Sequence, residues 1–381
     1  MNRQSALDTD ISRRSFLSLA VAGLSGCGGG VDTGVTTAGR PGTGGTGLYV
    51  QGSISGFGSV IVNGIRFDET SAMVQLDGTL ASTLDLRLGM VAEVLGLRGA
   101  DLTLGVANAI EVWSIAQGLV SQVQSGQFKV AGMLVQADAA TVFDGIGSVA
   151  ALANGQRVAV WGLQSGTDGT RWTATRVALV SPTALVSTGI VSAAGTLNGF
   201  ALSGQKAASL ASGQLVRVQG PLSSSGASVQ VDGFKLLGPQ SGSLPEGDVE
   251  IEGLVTALLS GSRFMLGSVE VDASSASLAA SYKALSIGQR IEVEGNWQGR
   301  VLKAVSFGVE SEQKLDEAEI EARIEQFTSL ANFVVRGQRC NASSAVISKG
   351  TVADLKVGVK VKLHGTKAGD VLMVTTLEFS S

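Results

Sequence analysis

The chain has 381 residues, 44% of them hydrophobic, only 16% charged, and 52 glycines. Its formal charge is −4 and it has no long basic run, which argues against a nucleic-acid partner, since that role needs clustered Lys and Arg to neutralise phosphate. A single histidine and two cysteines exclude a Cys/His metal centre.

The first thirty residues fall into three parts. A charged segment contains Arg13 and Arg14, followed by Phe16 and Leu17; a short apolar stretch runs from Leu17 to Leu24; Leu24, Ser25 and Gly26 then lead into Cys27. The apolar stretch is far short of the roughly 20 residues that span a bilayer, so it reads as a targeting segment. The paired arginines with Phe16 and Leu17 resemble the twin-arginine export signal, an address and not an anchor. Leu24 to Cys27 resembles the bacterial lipobox, which implies that residues 1–26 are removed and that Cys27 is acylated. Gly28 follows the cysteine where, by the same resemblance, an aspartate would hold a lipoprotein at the inner membrane. The expectation is therefore a lipid anchor in the outer membrane, facing the periplasm. With Cys27 acylated, Cys340 is the sole thiol, so no internal disulfide can form and packing alone must hold the fold. Cys340 itself reads as a buried small hydrophobe.

Residues 27–47, rich in Gly and Thr, form a tether. Beyond it one motif occurs five times: a glycine, alternating aliphatics, and a second glycine. Its copies are Gly89 to Gly96, Gly155 to Gly162, Gly213 to Gly220, Gly288 to Gly295 and Gly358 to Gly365. The first glycine suits a turn, the alternation suits a strand, and the second suits a strand end or bulge. Each copy is preceded by a second landmark, such as Gly52 to Ile54, Gly118 to Val120 or Ala322 to Ile324, and followed by a closing strand. The repeats are placed at 48–113, 114–181, 185–238, 247–310 and 318–381, the third being shortened. About five short strands per unit predict an all-β chain of tandem small antiparallel five-stranded barrels resembling the OB-fold, since closure removes exposed edges.

The repeat resembles a bacterial envelope domain family of unknown function, number 5666. The residues that carry the likeness are the Gly-x-Val start, the centre from Val135 to Thr141, the run from Leu152 to Gly162 and the close from Ala174 to Val177. The resemblance implies a fold and an envelope address, and no activity. Repeat 3 lacks the centre and reads as an incomplete barrel leaning on a neighbour.

Catalytic machinery is sparse. His364 has Leu95, Trp161, Gln219 and Glu294 as its counterparts, which reads as a tolerant strand surface. Glu246, Asp248, Glu250 and Glu252, and again Glu319, Glu321 and Glu325, recur at or near period two; opposite Val249, Ile251 and Ile320 they read as a solvated outer face. Weak Ca²⁺ binding through such oxygens is the alternative, without the loop that a dedicated site would have. Gly42 to Gly47 has the letters of a dinucleotide fingerprint but no helix pattern after it. Trp113, Trp161, Trp172 and Trp297 read as packing residues before stacking platforms. No catalytic, cofactor-binding or metal residue is assigned. The expectation is a non-catalytic envelope scaffold that meets the membrane through its anchor and binds an envelope protein or glycan. The alternatives are a carboxylate-dependent carbohydrate-active enzyme, with two carboxyls in a cleft between repeats, and a periplasmic cation-binding module.

Overall fold

The computed structural model describes residues 47–181, 184–238, 247–309 and 315–380. The export signal, the lipobox, the tether up to residue 46 and Glu246 lie outside them. Repeat 1 shows the plan. Its first strand, Leu48–Phe57, pairs antiparallel with Val60–Val62, which pairs antiparallel with Ile65–Asp68. That third strand runs parallel to the last, Leu104–Val112, which returns antiparallel to Val91–Arg98. Val91–Arg98 then closes the ring against the first strand. Leu48, Val50, Ile54, Val60, Val62, Phe67, Ala92, Val94 and Ile110 fill the interior, because alternate residues of each strand point inward.

Repeats 2, 4 and 5 close in the same order. Each is a five-stranded barrel with the OB-like connectivity in which the third strand runs parallel to the last, so the units are not wholly antiparallel; in repeats 1 and 5 a further short strand, Met73–Leu76 or Val346–Ser348, also runs parallel to the last. The parallel step is forced by the connection: the third strand leads through a crossover segment containing a short helical turn to the fourth, which leaves the fifth alongside the third. Repeat 3 keeps the parallel pair, Phe200–Ser203 with Ser228–Gln230, but its strands divide between two sheets. It has its own small core of Val191, Leu197, Val216, Val218 and Val231. It also leans on repeat 2, where Ser187 Oγ donates to the carbonyl of Ala131 at 2.9 Å and Thr188 Oγ1 to that of Ile115 at 2.7 Å.

The two glycines of the motif play different parts. Gly89, Gly155, Gly213, Gly288 and Gly358 all have φ between 77° and 90°, the left-handed region in which a side chain is strained. Gly96, Gly162, Gly220, Gly295 and Gly365 have no such φ; instead each packs against a carbonyl of the last strand, so that a Cβ would collide with backbone. At Gly96, Gly162, Gly295 and Gly365 the pairing register shifts, the mark of a β-bulge. The bulge bends the fourth strand around a small barrel.

The barrels do not sit apart. Among the described residues, repeats 1, 4 and 5 share one 18-stranded sheet. The first strand of repeat 1 makes this junction: Leu48 to Gln51 run parallel to Asp248 to Ile251 of repeat 4, and Gly56 and Phe57 run parallel to Glu319 and Ile320 of repeat 5. Basic side chains reach across every seam around repeat 1. Arg176 of repeat 2 donates to the carbonyl of Leu88 at 3.0 Å, and Arg336 of repeat 5 to that of Thr83 at 2.6 Å. Lys235 of repeat 3 lies 2.6 Å from Glu93 and 3.4 Å from Glu111. Arg98 of repeat 1 meets Glu250 and Glu294 of repeat 4. Repeat 1 is thus a hub that all four others touch.

Candidate binding cleft at the junction of three repeats

Where repeats 1, 4 and 5 meet, the surface opens into a cleft of about 440 Å³, within the usual size range of small-molecule sites. Repeat 1 contributes Ser53, Ser55 and Arg66, repeat 4 contributes Glu252 and Glu292, and repeat 5 contributes Glu317, Glu319, His364, Thr366 and Lys367. The site exists only in the assembled body, because its lining is divided among three repeats.

Strand alternation explains why acids gather here. Val249 and Ile251 point into the core of repeat 4 and Ile320 into that of repeat 5, so Glu250, Glu252 and Glu319 must point away from those cores. The expectation of a solvated outer face fails for these three: they are only 4%, 6% and 9% exposed. What lies outside one barrel is the flank of the next. Burying a charge is costly unless it is paired, and each has partners. Arg66 grips Glu319 with both amino groups, at 2.8 and 2.6 Å, and Lys362 Nζ lies 3.0 Å away. Burial alone would raise the Glu319 carboxyl, but hydrogen bonds from Arg66 and Lys362 outweigh it and hold the group at about 2. For Glu252, burial is likewise outweighed, here by Arg290 at 2.5 Å and the Ser53 amide at 2.7 Å, and the carboxyl lies below its usual range. Glu250 behaves oppositely: burial wins, and the carboxyl is raised despite its hydrogen bond with Glu292 and its pairing with Arg98.

His364 remains 47% exposed in its side chain, with Nδ1 3.5 Å from Glu319. Two of its counterparts, Gln219 and Glu294, meet Arg217 and Arg98, so this position serves contacts in several repeats and is not simply tolerant surface. Trp161 and Trp172 are buried and Trp297 packs on the core of repeat 4. Trp113 is half-buried between Lys235 and Arg217, whose cationic groups stand 4.5 and 5.1 Å from its ring centre. Among the described residues no group of three or more His, Cys, Asp and Glu could hold a metal ion, and no helix is long and apolar enough to cross a membrane.

Cys340 is buried in the core of repeats 1 and 5, and burial pushes its thiol up to about 12. Only the thiolate reacts. A disulfide-exchange reagent at pH 8 should therefore leave Cys340 of the folded protein unmodified for hours and titrate it within minutes in guanidinium. Rapid labelling without denaturant would contradict this placement.

Residues 117–178 and 252–306 match the family described as Domain of unknown function (DUF5666). The chain thus carries two stretches similar to that family, each within one repeat. The two matched stretches lie in repeats 2 and 4, each a five-stranded barrel with one parallel pair, and repeats 1 and 5 share their closed topology. No curated protein matches the chain.

Sequence reading missed the position two residues beyond the closing glycine of the repeat. It is occupied by Arg98, Gln164, Leu222, Trp297 and Lys367. In repeat 1 it supplies the cation that docks repeat 4, and in repeat 5 it lines the cleft. A long basic residue on the outer face of a bulged strand is the signal, visible only once the copies are superposed.

Proposed function

We propose that the protein is a non-catalytic lipoprotein of the bacterial envelope, exported by the twin-arginine route and anchored through Cys27, and that its five repeats form a binding or scaffolding body for an envelope protein or glycan. The observation that best supports this reading is how the acids are used. Glu252 and Glu319 are committed to seams between barrels and held ionised, so they are poor proton donors near neutrality. Glu250, whose carboxyl is raised, is only 4% exposed and paired with Arg98. Folded export suits a chain whose repeats must dock on one another before they bind anything. Lipid anchoring places that body at a membrane, with the outer membrane facing the periplasm as the expected address. Anchoring needs more than one acyl chain at about 0.8 kcal/mol per buried CH₂, which lipobox cysteines supply by resemblance.

A second reading, an envelope carbohydrate-active enzyme, draws on the hydrogen-bonded carboxyl pair of Glu250 and Glu292. Hydrolysis of an envelope polymer that Glu292→Gln abolishes would favour it over the scaffold.

Replacing Cys27 by alanine should leave the protein exported but soluble after the envelope is fractionated. Replacing Arg13 and Arg14 together by lysine should leave full-length precursor in the cytoplasm. Membrane-bound Cys27→Ala protein would sink the anchor.

A further inference from the structure

One charged group in the junction cleft is left over. Arg66 is spent on Glu319, Arg290 on Glu252, and Lys362 on Glu319. Lys367, on the strand Lys360–Ala368, lines the same cleft and makes no hydrogen bond or ion pair among the described residues. Around it stand Arg290 and Glu252 of repeat 4, Asp316 just before repeat 5, and Asp138 of repeat 2. Glu252 already serves Arg290 and the Ser53 amide, and Arg290 repels the ammonium. An amine that is half-buried in a cleft, unpaired and beside another cation favours its uncharged form, the arrangement that makes a lysine nucleophilic.

The walls indicate what could approach it. Four glutamates line the cleft, Glu252, Glu292, Glu317 and Glu319, against the cations Arg66 and Lys367. An anionic ligand would face that excess of carboxylates. A neutral hydroxylated one would find an acceptor for its hydroxyl groups in the exposed carboxylate of Glu317, and further partners in the side chains of Ser55 and Thr366.

We propose that Lys367 is a carbonyl-capturing amine and that the junction cleft takes a small, uncharged hydroxyaldehyde, such as the open chain of a reducing sugar. The Nζ lone pair attacks the aldehyde carbon, and the carbonyl π electrons move to oxygen. A proton passes from nitrogen to that oxygen through solvent, giving a carbinolamine. Loss of one water then forms the carbon–nitrogen double bond of an imine, with no net oxidation. The capture is reversible and needs no other reactant. It goes beyond the anchored scaffold and does not depend on it.

Burial and Arg290 bring the Lys367 ammonium down to about 8, against 10.5 for an ordinary lysine. At pH 7 this gives on the order of 300 times more free amine. Lower basicity should remove roughly tenfold of that advantage, on the slope known for thiolates, leaving a rate ratio of about 20 to 30.

The test uses the full chain with glyceraldehyde and cyanoborohydride, which reduces the imine to a stable adduct, followed by peptide mapping. Lys367 should be labelled at pH 7 about twentyfold faster than the other lysines, with the ratio falling to one or below at pH 10. Glyoxylate, an aldehyde carrying a negative charge, should label it less well when both are scaled to free N-acetyl-lysine. Lys367→Arg should abolish the fast adduct while leaving the thermal midpoint and the labelling of the other lysines unchanged. Labelling at Lys367 no faster than at exposed lysines would overturn the proposal, and a preference for glyoxylate would overturn its uncharged ligand. Neither result would touch the anchoring experiments on Cys27, so the two readings fail separately.

Discussion

Replacing Arg217 by alanine should release repeat 3 from repeat 1 at a cost of about 3–5 kcal/mol, the usual penalty for deleting one partner of a buried ion pair. Arg217 is only 1% exposed and sits on the seam. Its Nη2 lies 2.8 Å from Asp77 Oδ1, its Nε donates to the Ser114 carbonyl at 2.6 Å, and its Nη1 donates to Gln219 at 2.9 Å. Burial lowers the guanidinium from its ordinary value and Asp77 opposes that shift, yet an arginine remains charged throughout the physiological range. Alanine would strand the Ser114 carbonyl and leave a cavity beside Trp113. Lysine would keep the charge but lose the planar fork that reaches three acceptors at once, so Arg217→Lys should recover less than half of the loss. Hydrogen exchange is the decisive measurement. In Arg217→Ala the amides of 185–238 should lose protection while those of repeats 4 and 5 keep theirs. Uniform loss across the chain, or none, would show that this seam does not hold repeat 3.

The Gly96→Ala substitution should be about as damaging, at roughly 3 kcal/mol or more, by overpacking against backbone. A Cβ at Gly96 would fall far inside contact distance of the Val106 carbonyl oxygen and close to Ala107 Cα. Neither is the movable end of a side chain. The strands Val91–Arg98 and Leu104–Val112 would have to part at the bulge, and Arg98, two residues on, carries the contact to Glu250 and Glu294. Damage in repeat 1 should therefore spread to the barrel docked there. Gly64 provides the contrast: its φ is +76°, but no atom lies within 4 Å of an added Cβ. Gly64→Ala should cost only backbone strain, on the order of 1–2 kcal/mol. Urea unfolding of the two variants side by side would separate collision from strain, and equal midpoints would refute the distinction.

The use of glutamate in the seams bears on how such a chain can diverge. The barrel needs inward aliphatics and two glycines, which leaves its outer positions free. In this chain those positions carry the docking of one barrel on another, and the same strand position is arginine in repeat 1 and lysine in repeat 5. Arg98 is absorbed by Glu250 and Glu294, whereas Lys367 is left facing a cleft. Repetition of one fold thus yields a single unpaired amine at a place where three units meet.

Fold class and the repeated strand motif were legible in the sequence because their causes are local. Alternating aliphatics specify a strand with one buried face, and a glycine at a fixed offset specifies a turn or bulge wherever it occurs. The parallel pair within each barrel was not legible, since pairing of the third strand with the fifth depends on the path of the chain between them. Least legible were the seams. The run Asp248, Glu250, Glu252 reads identically whether its face meets water or another barrel, because alternation tells which side chains leave their own core and not what they meet outside it. That was decided by Arg98, Arg290 and Ser53, two of them some 150 to 200 residues distant in the chain, and for Glu319 by Arg66, 253 residues away. By itself, then, the sequence determined a chain of small β repeats and their motif glycines; only the tertiary structure decided that they dock around the first, bury their acids and set Lys367 in a cleft, because complementarity between distant surfaces leaves no periodic trace along a chain.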